Sequence, residues 1–254
     1  MRDWRRRRRM SQLDLSLEAE VSARHLSFVE SGRARASREM LQRLGDRLAM
    51  PLRERNRLLI AGGYAPDHGE RPLNSPEMGV AMSAIRMVLD GHGPFPALAV
   101  DRQLNLISAN IPATNLLTGL PDALCKPTLN VLRATLDPAG LAPRIANLPE
   151  WRHHLLGRLR SDYAATGDPA LAKLHDELSA IPVTRRQAHN SPIARIAVPL
   201  MLDAGEGRIL SLLSTTTVFG TANDITLSEL TLEAFFPADA ETQKFFMRNS
   251  TASN

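Results

Sequence analysis

The stretch SQLDLSLEAEVSARHLSFVESGR, residues 11–33, decides the architecture of the first part of the chain. It contains two short amphipathic runs, and each of them follows a serine, Ser11 or Ser22. Serine is a favoured N-cap residue because its side-chain oxygen accepts a hydrogen bond from the first turn of a helix. The stretch therefore predicts two short helices, over residues 12–19 and 23–30, joined by a tight turn.

The second of these helices has an apolar back and a polar front. Leu26 and Val29 fall on one face, so the face that carries Arg24 and Phe28 points away from the core. Arginine can donate two hydrogen bonds to guanine, and phenylalanine can contact the thymine methyl group. Neighbouring serine, glutamine and arginine side chains can contact phosphates. The candidate DNA-binding residues are Ser11, Gln12, Ser22, Ala23, Arg24, Ser27, Phe28, Arg33, Arg35 and Arg38. Spacing alone leaves an ordinary helical hairpin with a solvated face as the alternative.

Arginine is concentrated at the N-terminal end of the chain. Residues 1–64 contain 15 arginines and 8 acidic residues, a net charge of +7, whereas the remaining residues of the 254 have a net charge of −3. A basic N-terminal part followed by a mildly acidic remainder predicts a polyanionic partner for residues 1–64. The run WRRRRR, residues 4–9, suits phosphate contact. A nonspecific RNA or membrane-surface patch, or a merely solvated run, would have the same composition.

Stop signals divide the chain into two domains. Further helices predicted over residues 2–10, 38–48 and 52–61 complete a five-helix bundle, which we place at residues 1–65. The segment that follows is rich in proline, glycine and polar residues, and it indicates a linker over residues 66–76. We assign residues 77–248 to a second domain and residues 249–254 to a disordered tail.

The second domain mixes helices and strands. Helices are predicted over residues 77–89, 110–117, 150–165, 169–181, 227–236 and 240–248. Strands are predicted over residues 97–100, 104–108, 194–202 and 208–219. Thr226 and Glu229 have the spacing of a capping box before the helix at 227–236. The predicted fold class is therefore a helical bundle followed by an α+β domain with an antiparallel sheet of four or five strands.

Residues 11–44 resemble the helix-turn-helix of the Cro/phage-repressor class, the Xre family. The segments HLSFVESGRARASREM (25–40) and PLRERNRLLIAGGYAP (51–66) are most similar to the subgroup with an MmyB-like ligand-binding domain. This resemblance implies that helix 23–30 is the recognition helix and that Arg5 pairs with Glu30 at its end. Such pairing would be structural and would not read bases.

Two residues depart from the pattern of that family. Glu20 stands where glycine is usual, because the turn requires a left-handed backbone, and a glutamate there should cost about 1–2 kcal/mol. Ser16 stands where a tightly packed alanine is usual, and its hydroxyl can bond back to the helix. The first helix is also shorter and less apolar than usual, so Trp4 would anchor it alone. Whether the natural chain starts upstream of Met1 stays open.

Two stretches of the second domain are similar to the MmyB-like ligand-binding domain: residues 130–159 and 212–239. This resemblance implies a PAS-like sheet whose helices enclose an apolar pocket that can hold a fatty acid. A fatty carboxylate would need a cation or a donor at the mouth of the pocket. The candidate ligand-binding residues are Asn110, Arg144, Arg152, Arg195, Leu106 and Val198. The alternative is that the apolar sheet face is only a core.

The sequence contains no recognisable catalytic motif. It lacks the nucleophile elbow, the zinc-binding HExxH pattern, the phosphate-binding loop and the dinucleotide fingerprint. The single cysteine, Cys125, excludes an internal disulfide and a cysteine-based zinc site. No apolar run is long enough for a membrane span. We therefore predict no enzyme, no metal site and no cofactor, apart from the fatty-acid-like ligand.

Together these observations predict a bacterial-type, ligand-responsive transcription regulator. Its expected partners are double-stranded DNA, a small apolar ligand and a second copy of the chain, with no membrane, and its expected location is the cytoplasm. The alternative, from a different class, is a constitutive DNA-binding protein whose second domain is only a dimerisation module.

Overall fold

The computed structural model describes residues 1–182 and 196–251 of the chain. The chain divides into two units, each with its own packing. The first unit comprises Met1–Pro72 together with Thr221–Ser228, and the second comprises Leu73–Gly220 and Glu229–Asn254.

Five helices make up most of the first unit. They are α1 (Arg2–Arg7), α2 (Gln12–Glu18), α3 (Ala23–Glu30), α4 (Arg38–Arg47) and α5 (Leu52–Ala61). The Ser11 hydroxyl accepts a hydrogen bond from the backbone of Asp14, whose carboxylate accepts one from the Ser11 backbone. The Ser22 hydroxyl accepts from His25 N at 3.4 Å. These caps confirm the two helix starts that the serines predicted.

The turn between α2 and α3 has the left-handed backbone that the sequence predicted. Glu20 has a φ of 54°, a conformation that costs a residue with a side chain free energy. The hydroxyl of Ser16 donates to the carbonyl oxygen of Leu13 at 2.8 Å, which confirms the back-bond. Trp4 is buried in the core beside Leu15 and Leu26, so the short first helix is anchored as expected.

A five-stranded antiparallel sheet forms the centre of the second unit. Its strands are β1 (Ala97–Val100), β2 (Leu106–Ala109), β3 (Leu200–Asp203), β4 (Ile209–Val218) and β5 (Thr231–Pro237). They lie in the order β2-β1-β5-β4-β3, so the last strand along the chain is the central one. This sheet, after the helical first unit, confirms the predicted mixed α and β fold class.

Helices cover the sheet. The helices of the second unit are α6 (Gly79–Gly91), α7 (Ile111–Leu116), α8 (Asp122–Cys125), α9 (Val131–Leu136), α10 (Leu148–Thr166), α11 (Pro169–Ala180) and α13 (Ala240–Thr251), whereas α12 (Ile225–Ser228) falls in the first unit. Leu159 of α10 and Leu178 of α11 are fully buried in one cluster with Leu202, Leu210 and Leu212 of the sheet. The core of the second unit therefore lies between this helix pair and strands β3 and β4.

The helix predicted over residues 227–236 is wrong. Only Ile225–Ser228 is helical, and residues 231–237 form β5, which pairs with β1 on one side and β4 on the other. A central strand satisfies its backbone hydrogen bonds on both edges, and this tertiary pairing overrides the local helical pattern. The predicted capping box is also wrong, because Thr226 lies inside α12 and does not precede it, while Asp224 Oδ1 accepts a hydrogen bond from Leu227 N.

Other element boundaries differ from the prediction. The strand predicted over 194–202 begins only at Leu200, and Ile196 is 90% exposed, while residues 194 and 195 lie outside the described residues. Helix α13 continues through Thr251, and residues 252–254 of the predicted tail lie outside the described residues. Helices α8 and α9 were not predicted, since each is only one or two turns long.

Candidate DNA-binding surface and ligand cavity

Helix α3 presents an arginine and an aromatic ring side by side. The guanidinium carbon of Arg24 lies 5.5 Å from the ring centroid of Phe28, one turn further along the helix. Ala23 and Arg24 are exposed, Ser27 and Phe28 are partly exposed, and Leu26 beneath them is fully buried. The ring attracts the cation and limits the conformations of a long side chain. The front of α3 is therefore accessible to a partner.

The carboxylate of Glu30 fastens three helices of the first unit together. Arg5 donates from Nε to Oε1 and from Nη2 to Oε2, each at 2.9 Å, which confirms the predicted pair. Gln12 Nε2 also donates to Oε2 of Glu30, at 2.8 Å. The hydrogen bonds from Arg5 outweigh burial and hold the pKa of the Glu30 carboxyl below its usual value. The side-chain amide of Gln12, a predicted phosphate donor, is thus engaged within the protein.

The arginines of the first unit divide into internal and outward groups. Arg8 donates to the carbonyl oxygens of Leu48 and Ala49 at the end of α4, at 2.8 and 2.9 Å. Arg38 donates to the carbonyl oxygen of Ala65 and forms an ion pair with Asp67. Side chains of the outward group are exposed: Arg6, Arg9, Arg33 and Arg35. The outward group can reach a phosphate without first breaking a described ion pair.

The second unit contains a cavity of about 700 Å³. Residues from the end of α6, from α7, from the β3–β4 turn region and from α13 surround it. The lining includes Asp90, Asn110, Ile111, Leu116, Arg144, Leu210, Phe245 and Phe246. Pockets that bind small molecules are typically about 300–1,000 Å³ and mostly apolar, with a few polar groups. The cavity fits this description.

Arg144 is the predicted cation that lies at this cavity. Its Nη1 donates to the carbonyl oxygen of Leu116 at 3.3 Å, and its Nε lies 3.4 Å from the carbonyl oxygen of Asp203. These bonds tie it to the end of α7 and the end of β3. They use two of its five N–H donors, so donors are left for an anion.

Asn110 positions the wall of the cavity. Its Nδ2 donates to the carbonyl oxygens of Leu89 and Phe95, both at 2.9 Å, and its Oδ1 accepts from the backbone nitrogens of Ala97 and Ala113. The side chain is 3% exposed and has four hydrogen bonds within the protein. It therefore joins α6, β1 and α7, and its amide is already satisfied.

The three other candidate ligand residues that the structure describes, Arg152, Leu106 and Val198, do not line this cavity. Nη2 of Arg152 donates to the carbonyl oxygens of Leu178, Ser179 and Ile181 at the end of α11. Leu106 lines one smaller surface pocket, and Val198 lines another. Arg195 lies outside the described residues. The structure thus brings Arg144 and Asn110 together and adds lining residues that were not predicted as ligand residues, among them Asp90, Phe245 and Phe246.

Two family models match the chain. Residues 1–54 match the helix-turn-helix model, and residues 81–248 match the model of the MmyB-like transcription regulator ligand binding domain. Comparison with curated proteins gives no match. With the exposed front of α3 and the cavity of the second unit, these matches define a DNA-binding transcription regulator with a ligand-binding domain. Because the second match covers more than half of the chain, the protein belongs to the MmyB-like transcription regulators.

Both matching families are those of transcription regulators and not of enzymes. Within residues 1–182 and 196–251, no three His, Cys, Asp or Glu side chains are grouped so that they could hold a metal ion. The helices in this part of the chain are all too short or too polar to cross a membrane.

Proposed function

We propose that α3 enters the major groove of operator DNA and reads base edges with Arg24 and Phe28. The observation that carries this proposal is the contact between the exposed Arg24 and the partly exposed Phe28, on a helix whose Leu26 is fully buried. In a helix-turn-helix, the second helix of the motif reads the major groove and its N-terminal residues contact the bases. Ala23 and Ser27 would lie beside the same bases.

Phosphate contacts orient the domain on the duplex. Arg33 and Arg35 are exposed after α3, and Ser11 and Ser22 stand at the starts of two helices, where backbone N–H groups favour anions. Arg38 would have to exchange its ion pair with Asp67 for a phosphate. We propose a homodimer in the cytoplasm, whose two recognition helices would read half-sites about 34–36 Å apart.

Selection of binding sites from a random pool of duplexes tests the DNA proposal. The wild-type chain should enrich one motif with two related half-sites. Arg24→Ala should weaken binding to that motif by about 1–3 kcal/mol and relax specificity at one position, with little effect on unrelated DNA. Arg57→Ala is the matched control, because Arg57 lies on α5 and pairs with Glu54. Equal losses in both variants would mean that α3 does not read the bases as proposed.

For the second unit, the proposal is a PAS-like domain whose cavity binds a small apolar acid of the fatty-acid class. The support is the lining of leucine and phenylalanine side chains, with the guanidinium of Arg144 among them. An arginine can bind a carboxylate through charge-assisted hydrogen bonds. Among the residues that the structure describes, no carboxylate forms an ion pair with Arg144.

Native mass spectrometry of the purified chain, followed by mild denaturation and extraction, tests the ligand proposal. A co-purifying apolar acid that is lost in Arg144→Ala supports a sensor. A bare protein that also fails to bind added hexadecanoate supports the alternative, a constitutive DNA-binding protein whose second domain only dimerises. The domain limits of 1–65 and 77–248 also belong to this proposal, although the segment Thr221–Ser228 packs with the first unit.

A further inference from the structure

The cavity of the second unit is lined by two side chains of opposite charge, Asp90 and Arg144. They are the two charged residues among the lining residues that the structure describes. Arg144 donates to two backbone carbonyl oxygens, and neither side chain forms an ion pair in the described part of the chain. The lining of one cavity therefore includes an acidic and a basic residue that do not pair with each other, and Asp90 is exposed to solvent.

Helix α7 sets the separation of these two charges. Asn110, the N-cap of α7, donates to the carbonyl oxygen of Leu89, so the start of α7 lies next to the residue that precedes Asp90. Arg144 donates to the carbonyl oxygen of Leu116, the last residue of α7. The helix has six residues, and a rise of about 1.5 Å per residue makes it about 9 Å long. The residues Asp90 and Arg144 thus lie near opposite ends of α7.

The surface between the charges is apolar. Ile111 and Pro112 line the cavity at the start of α7, and Leu116 lines it at the end. Phe245 and Phe246 of α13 also line the cavity. A ligand that lies along α7 must therefore have an apolar segment, with one polar group at the end near Asp90 and a different polar group at the end near Arg144.

A simple fatty acid satisfies only one of the two charges. The carboxylate of the fatty acid can bind Arg144. Its hydrocarbon chain would then pass Asp90 and would displace water from the Asp90 carboxylate. The chain has no donor that could replace the lost hydrogen bonds. Such desolvation of an unpaired charge is unfavourable. A donor on the ligand, at the distance that α7 sets, would remove this cost and would select the ligand among other apolar acids.

We propose that the cavity selects an apolar acid that carries a hydrogen-bond donor, a hydroxyl or an ammonium group, about 9 Å from its carboxylate. The carboxylate binds Arg144 and the donor binds Asp90. This inference rests on the proposed function, in which the cavity holds an apolar acid. It adds the second polar group and the residue that recognises it.

Calorimetric titration of the full-length chain with three acids tests the inference: hexadecanoate, 8-hydroxyhexadecanoate and 8-aminohexadecanoate. The two substituted acids should bind about three- to fivefold more tightly than hexadecanoate, the range expected for a partly exposed charge interaction. In Asp90→Ala the advantage of both substituted acids should disappear, because no acceptor for the hydroxyl or the ammonium group remains at that position. Asp176→Ala is the matched control, since that side chain is 86% exposed on α11 and lies outside the cavity lining.

The outcomes separate this inference from the proposed function. Hexadecanoate that binds as tightly as both substituted acids would overturn the inference and leave the apolar-acid proposal standing. An advantage of either substituted acid that survives Asp90→Ala would also overturn it, because Asp90 would not be the recognising group. If none of the three acids binds, the proposed ligand class and the inference both fail.

Discussion

Glu30 connects α1 and α2 to the end of α3, because its carboxylate accepts hydrogen bonds from both Arg5 and Gln12. Its side chain is fully buried, and that of Arg5 is 11% exposed. Removal of one partner from such a pair leaves the other charge buried and unpaired, which typically costs about 3–5 kcal/mol. The orientation of α3, the proposed recognition helix, therefore depends on the carboxylate of Glu30.

The same carboxylate makes the stability of the first unit depend on pH. The pKa of Glu30 is lower in the folded chain than in the unfolded chain, chiefly because of the hydrogen bonds from Arg5. Its stabilising contribution is therefore fully present above the unfolded pKa, about 4.3, and is lost as the pH falls through the lower folded value. We expect the free energy of unfolding of the first unit to fall below about pH 4.3, and to fall less steeply in Glu30→Gln.

Urea titrations between pH 7 and pH 3 measure this effect. Trp4 reports on the first unit when Trp151, the other tryptophan, is replaced in a Trp151→Phe background. Glu18→Gln, an exposed position of α2, should keep the wild-type pH profile. A Glu30→Gln profile as steep as that of the wild type would show that Glu30 is not the responsible group.

At the scale of the element, the turn after α9 depends on a glycine. A Cβ atom on Gly140 would lie 2.2 Å from the carbonyl oxygen of Ala134, which already accepts a hydrogen bond from Leu141 N. The clash is with backbone, so it cannot be relieved by a side-chain rotation. Gly140→Ala should destabilise the second unit by about 1–3 kcal/mol.

Gly157 in the middle of α10 provides the opposite control. A Cβ atom there meets nothing within 4 Å, so Gly157→Ala should raise the free energy of unfolding by up to about 1 kcal/mol. Urea unfolding followed by Trp151 fluorescence in a Trp4→Phe background measures both variants. Two alanine variants with equal stability would contradict the described geometry of the turn.

Helices that begin at a capping residue and end at a glycine or another stop signal could be predicted from the sequence. Helix α3 begins after Ser22 and ends before Ser31 and Gly32, and its predicted bounds are those of the structure. Strand β5 could not be predicted in this way, because residues 231–237 form a strand only through pairing with β1 and β4. The pairing with β1 joins residues more than a hundred positions apart, so no local pattern marks it.

The cavity was predictable only in part, for a similar reason. Arg144 lies in a stretch that resembles the ligand-binding family, so it could be proposed from the sequence. Arg152 lies in the same stretch, but it binds carbonyl oxygens at the end of α11 and does not reach the cavity. Phe245 and Asp90 line the cavity because α13 and α6 meet α7 there, and nothing in their local sequence distinguishes them from ordinary helix residues.

At the scale of the whole molecule, the first unit includes residues far away in the sequence. Ile225 is 2% exposed, and its backbone nitrogen donates to the carbonyl oxygen of Gly69 at 2.8 Å. Arg71 and Asp224 form an ion pair of 2.9 Å beside it. Ile225→Ala should therefore lower the stability of the first unit, by about 2–5 kcal/mol if the side chain is as well packed as a typical core residue.

The loss of stability in Ile225→Ala is measured by Trp4 fluorescence in the Trp151→Phe background. Trp4 and Ile225 are more than two hundred positions apart in the sequence. Asn223→Ala, at an exposed position of the same segment, should leave the transition unchanged. An unfolding midpoint that Ile225→Ala does not shift would place the Thr221–Ser228 segment outside the cooperative unit that contains the five helices.

A ligand-responsive regulator should bind DNA differently with and without its ligand, and one measurement tests this expectation most directly. The affinity for the selected operator would be measured at one fixed salt concentration with ligand-loaded chain and with chain stripped of ligand, the occupancy of each sample being checked by native mass spectrometry. An allosteric regulator should show affinities that differ by about 5–150-fold. Equal affinities for the loaded and the stripped chain would contradict the account and would make the protein a constitutive DNA binder.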